Sequence, residues 1–200
     1  MKPYQRMVRA VLVPAVCALA TGQHARAVDL DSVRLDDSAR VAGKSLVLNG
    51  AGISRQLVFR IYAIGLYLMD RKVSAEEILA TDGPRRIAIA VLRDISSDDF
   101  QNAVADHVSR GTQQHDHATV RSQMAALVKA IARRPDGLRE GDTLTMDWVP
   151  ETGTVVQING KPLVAPMPGL AFYKALLSIW LGESPADPSL KPKLLGRSLS

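Results

Sequence analysis

The chain has 200 residues, with 25 Lys and Arg against 20 Asp and Glu, a formal net charge of +5, and 46% hydrophobic but only 4% aromatic residues. The charge excess sits at the start: Lys2, Arg6, Arg9 and Arg26 meet no acid in residues 1–27, and taking those four from the 25 leaves 21 basic against 20 acidic residues. A nearly neutral remainder with few aromatics and no basic stripe argues against nucleic acid as a partner.

Residues 1–27 read as a cleaved secretory signal. Lys2, Arg6 and Arg9 form a cationic beginning, Val11 to Ala20 an apolar run too short to cross a bilayer, and Ala25-Arg26-Ala27 an A-x-A cleavage site. Thr21, Gln23, His24 and Arg26 follow the run at once, which argues against a lasting membrane span. The expected destination is periplasmic or secreted, with residues 28–200 as one domain, enough chain for one buried core and too little for two. Cys17 leaves with the signal, so neither a disulfide nor a thiol nucleophile is expected. The polar lead-in before Val41, the Arg133-Arg134-Pro135-Asp136-Gly137 turn and the tail after Leu195 read as the most flexible parts.

Lys44 to Leu48 and Leu57 to Met69 are rich in β-branched and aromatic residues and read as strands, with Gly50 and Gly52 at a turn between them. Ser74-Ala75-Glu76-Glu77 is a capping box opening a short helix that Asp82-Gly83-Pro84 closes. Ile87 to Leu92 is a continuous apolar run bounded by charges, the pattern of a central strand buried on both faces. Ser96 or Ser97 caps a helix with Phe100, Val104, His107 and Val108 on one face, and a second helix from about His117 repeats the pattern with Val120, Met124, Leu127, Val128 and Ile131. Thr143 to Val149, Thr154 to Ile158 and Pro162 to Val164 read as short strands, with Asn159-Gly160 a strong hairpin signal. Pro168 opens a helix lined by Leu170, Tyr173, Leu177, Trp180 and Leu181, and Asp187-Pro188 opens a last one. The order of elements gives an α+β domain with helices on one face of a largely antiparallel sheet.

Two blocks carry a resemblance. Leu48 to Leu68 reads LNGAGISRQLVFRIYAIGLYL, and Ile179 to Leu190 reads IWLGESPADPSL, followed by Lys191. Together they resemble the chalcone isomerase-like family, in which a GAG turn and an arginine lead into a strand of the form KFTAIGVYL and an IGE block precedes SPDLK. The resemblance implies an open-faced β-sandwich, with a large, mostly antiparallel sheet and a ligand cleft between sheet and helices. It also implies an arginine just after the GAG turn that stabilises a phenolate or enolate. Here that residue is Arg55, one position late, with Ser54 at the strict register. The family's strand threonine falls on Tyr62, its helix tyrosine on Phe100, its helix asparagine on Asp106 and its C-terminal threonine on Ile179.

These substitutions remove hydroxyls and make the cleft more apolar, which disfavours chalcone cyclisation. The reading is therefore a non-catalytic binder of a small apolar or amphipathic anion, a fatty acid or an aromatic acid, with Arg55, Tyr62, Phe100, Asp106 and Ile179 as ligand-binding candidates. The alternative is an isomerase or intramolecular lyase acting on a small unsaturated substrate, with Arg55, Tyr62 and His107 as its candidates. No cofactor is implied, and no metal is expected. His115 and His117 point apart on a helix, and Asp116 between them suits an N-cap. Trp148 and Trp180 read as core.

Overall fold

The computed structural model describes residues 27–30, 33–103 and 117–197. Strands β1 (Ala27–Leu30) and β2 (Val33–Asp36) form a two-stranded antiparallel ribbon. The main sheet is a seven-stranded antiparallel meander in chain order: β3 (Ser38–Val41), β4 (Lys44–Gln56), β5 (Phe59–Leu68), β6 (Arg85–Val91), β7 (Thr143–Val149), β8 (Gly153–Ile158) and β9 (Lys161–Pro162). The helices are α1 (Ala75–Ala80), α2 (described over 97–103), α3 (His117–Ala132), α4 (Leu170–Leu181) and α5 (Leu190–Leu194). The chain is α+β, as its element order implied, and β6 is the middle strand of the seven.

Alternation along the strands sorts the side chains into two cores. Ile64 and Leu66 of β5, Ile87 and Ile89 of β6, Leu144 and Met146 of β7, and Val156 and Ile158 of β8 face the helices. Val120, Met124, Leu127 and Ile131 of α3 pack against them, with Phe172, Tyr173, Leu176, Leu177 and Trp180 of α4, each set recurring at helical spacing. On the opposite side Tyr67 and Ala88 join Leu35, Val41 and Leu46 in a smaller cluster, with Val28 and Leu30 of the ribbon packed against it. The polar lead-in before Val41 is thus not a loose segment over its described residues. Its alternate apolar residues make the ribbon and β3, and they cover the second face.

Local signals explain the boundaries. The Ser74 hydroxyl accepts the Glu77 N–H at 3.1 Å and caps α1, while the Ser96 hydroxyl accepts the Asp99 N–H at 3.1 Å and caps α2. Asn159 and Gly160 both take positive φ, 51° and 74°, in the tight β8–β9 connection. The turn after α3 is held by Asp142. The Arg134 guanidinium and the Arg139 N–H both donate to its Oδ2, at 2.9 and 3.0 Å, and Asn159 donates to Oδ1 at 2.7 Å. Burial works to raise the Asp142 pKa, but these donors outweigh it and hold the carboxyl below the usual value.

Gly50 and Gly52 do not form a turn. Both lie inside β4, which runs unbroken from Lys44 to Gln56 with a register shift between Leu48 and Gly50, and the hairpin reverses only at Leu57-Val58. The glycines serve a close approach instead: a Cβ at Gly50 would meet the carbonyl oxygens of Lys193 and Leu194, and one at Gly52 would meet the side chains of Leu190 and Lys193. Helix α5 therefore rests directly on the strand. Asn49 seals the contact, donating to the Leu194 carbonyl at 2.7 Å and the Lys72 carbonyl at 3.0 Å while accepting the Lys72 N–H at 2.6 Å.

One charge flanking the central apolar run is inside the protein. Arg85 is fully buried on the helix face, donates to the Ile78 carbonyl near the end of α1 at 2.7 Å, and lies 5.5 Å from the centre of the Tyr173 ring. Burial pulls its pKa below the ordinary arginine value. Among the described residues no helix is long and apolar enough to cross a membrane.

Gly50→Ala should cost about 3 kcal/mol, the upper end of overpacking, because backbone rather than a yielding side chain blocks the new methyl. A urea titration checks it: the midpoint drops with unchanged slope. A wild-type midpoint would mean that α5 does not sit on β4.

Candidate functional site

A cavity of about 620 Å³ lies between the sheet and the helices, in the size range of small-molecule sites. Its floor is Ile89, Leu144 and Met146 of the sheet; its roof is Leu127 of α3 with Leu176, Ile179 and Trp180 of α4. Leu138 is brought to the wall by the turn that Asp142 ties, through an antiparallel bridge to Ile95. Phe100 and Ala103 of α2 line it as well. Toward the outside the wall becomes mixed, with Gln56, Leu57 and Phe59 of the hairpin and Arg93, Asp94 and Asp99.

Polar groups at the hairpin side of the cavity wall and behind it are linked. Trp180 Nε1 donates to the Tyr62 hydroxyl at 3.0 Å, and the Ser54 hydroxyl donates to Asp187 Oδ2 at 2.9 Å. Ser54 and Tyr62 are paired across β4 and β5 and joined by a side-chain hydrogen bond. The indole N–H of Trp180 is thus committed within the protein. Asp187 in turn accepts the Ser189 N–H and hydroxyl at 3.0 and 2.7 Å, which fixes the approach to α5. Burial raises the Tyr62 pKa, outweighing the hydrogen bonds with Trp180 and Ser54, which lower it.

At the mouth the cation is Arg93, whose guanidinium lies 4.1 Å from the centre of the Phe59 ring. The two nearby carboxylates have local partners: Asp94 accepts the Glu140 N–H at 2.8 Å, and Asp99 accepts the Ser96 hydroxyl at 2.7 Å.

Three of the residues singled out from the sequence, Tyr62, Phe100 and Ile179, meet at this cavity. Arg55 does not line it. The residue is exposed at the end of β4, opposite Arg60, because alternation along the strand turns Ser54 inward and its neighbour outward. Asp106 and His107 lie outside the described residues, as do His115 and Asp116. Among the described residues no cluster of three His, Cys, Asp or Glu side chains could hold a metal ion. Sequence reasoning missed Arg93 as the mouth cation, although it stands just beyond the apolar run of the central strand. It also took Trp180 for core alone, since nothing in the spacing shows its indole N–H meeting Tyr62 from a helix over a hundred residues away.

The family model described as chalcone isomerase-like matches residues 27–196. The chain belongs to the chalcone isomerase-like family. No curated protein sequence matches it significantly. Its fold is similar to that in the crystal structure of a fatty-acid binding protein from Arabidopsis thaliana. The superposition has a TM-score of 0.62 at 14% identity and covers 85% of this chain and 96% of the plant protein. The curled antiparallel sheet with helices on one face is thus the chalcone isomerase-like fold.

Burial raises the phenols of Tyr62, Tyr67 and Tyr173, that of Tyr67 to about 12. A raised folded pKa means that the native state keeps protons which the unfolded chain releases from about pH 10. This contribution is present in full below that pH and is lost as pH rises through the folded values. Urea midpoints should therefore fall steadily above about pH 10, and Tyr67→Phe should make that fall shallower. An unchanged slope in Tyr67→Phe would contradict the burial of this phenol.

Proposed function

We propose that this chalcone isomerase-like chain is a secreted or periplasmic protein that binds one small amphipathic anion, a fatty acid or an aromatic acid, without transforming it. The observation that carries the reading is an apolar cavity in which the Trp180 indole N–H is already bonded to Tyr62 and the lining cation, Arg93, stands at the mouth. An anionic head placed deep inside would be desolvated without a partner, at a cost that rules out tight binding. The apolar part of the ligand therefore goes inward, toward Leu127, Leu144 and Met146, and the charged head stays at the mouth beside Arg93. Ile179 and Phe100 add apolar wall, and Tyr62 stands on the hairpin side of Leu144 and Met146, two residues nearer the tip than Ile64. The structural likeness to a fatty-acid binding protein supports the same ligand class.

The alternative, an isomerase or lyase, needs a cation and free donors at a developing oxyanion. Beside Tyr62 the wall offers no cation, since Ser54 occupies the strict register of the family arginine, and the Trp180 proton goes to the Tyr62 oxygen. The signal-like residues 1–27 support an exported location.

Decanoate should bind and raise the melting temperature by mass action. Arg93→Gln should weaken it about tenfold or more, the worth of a hydrogen bond to a charged group, and should leave decanol affinity unchanged. Isothermal titration of both ligands checks it. Equal decanoate affinity in Arg93→Gln would remove the head from Arg93, and no binding across fatty and aromatic acids would overturn the reading.

A further inference from the structure

The β4–β5 hairpin ends in an apolar tip that internal packing does not explain. Leu57 is 91% exposed, Val58 85% and Phe59 50%. Leu57 also holds a φ of 56° in the two-residue loop between Gln56 and Phe59, a left-handed conformation that glycine or asparagine adopts at far lower cost than a bulky apolar residue. A strained backbone carrying an exposed leucine marks a side chain kept for something outside the fold. The charge around it has one sign along the hairpin: Arg55 and Arg60 flank the tip, and no acid stands between Asp37 and Asp70. Arg93 stacks on Phe59 from the neighbouring segment, and Glu140 is the acid in the shallow groove beside Val58 and Arg60. Leu57 and Phe59 are at the same time part of the cavity mouth.

We infer that the Leu57–Phe59 tip docks on an anionic phospholipid surface and so sets the cavity mouth against the lipid phase. Apolar side chains at the end of a rigid hairpin enter the interfacial region while flanking arginines meet lipid phosphates. That the mouth then takes its amphipathic ligand directly from the bilayer rests on the binder reading above; the docking itself does not.

Co-sedimentation with vesicles tests it, using the full chain and its Val58→Asp variant, which share one N-terminus. Val58 is exposed and does not line the cavity, so the variant should fold and bind decanoate as the wild type does. The wild type should partition onto phosphatidylcholine vesicles containing phosphatidylglycerol and less onto phosphatidylcholine alone, with salt weakening the attachment. Val58→Asp should reduce that partitioning about tenfold or more, since it removes apolar area and adds a repelled charge. Equal partitioning of the two chains would overturn the inference, whether both bind or neither does. So would a solution dimer that Val58→Asp dissociates without any vesicle effect, because the tip would then be an interface between copies. Vesicle binding that depends on Val58, together with no decanoate binding, would keep the docking and discard the ligand reading.

Discussion

The close approach of α5 to β4 is the constraint from which the site follows. Two glycines let the backbone of Lys193 and Leu194 lie against the strand, and Asn49 fixes it there with hydrogen bonds to Leu194 and Lys72. With α5 seated, the segment before it can bring Asp187 to Ser54 at 2.9 Å. Asp187 takes the Ser54 proton, and Tyr62, the cross-strand partner of Ser54, takes that of Trp180. A steric permission in one strand thus reaches the wall of the cavity.

The placement of charge completes this picture. Within the fold, Arg85 donates from Nη1 to the Ile78 carbonyl and lies against the Tyr173 ring, its Nε and Nη2 buried without a hydrogen-bond partner, and Arg86 is bound by Asp147 through two contacts of 2.6 Å. Neither lines the cavity. The cation that reaches it is Arg93, at the rim, where solvent lowers the cost of holding an anion. The cavity thus combines an apolar interior with a charged rim of Arg93, Asp94 and Asp99.

Much of the fold was legible because its signals are local. The Ser74 cap, the helical spacing of Val120 to Ile131, and Asn159-Gly160 each act within a few residues and appear where their chemistry puts them. The glycine pair was misleading for a physical reason: a glycine that allows a turn and one that allows a neighbour's backbone to approach look identical in sequence, and only the packing of α5 separates them. The ribbon of β1 and β2 was hidden because short strands with charges between their apolar residues resemble a polar lead-in. At the site, Tyr62, Phe100 and Ile179 could be found because the resemblance fixed their positions. Arg55 stands one position past the strict register, and alternation along β4 points it outward where Ser54 points inward. Arg93 belongs to no motif and becomes visible only when the Phe59 hairpin folds over it.

An amphipathic anion held tail inward and head outward is the arrangement we propose for the cavity. The most direct test is a crystal structure of the protein soaked with a fatty acid brominated at its terminal carbon, with anomalous scattering to locate the bromine. Bromine is expected among Leu127, Leu144 and Met146, with the carboxylate beside Arg93. Bromine at the mouth and a carboxylate among Leu127, Leu144 and Met146 would contradict the arrangement.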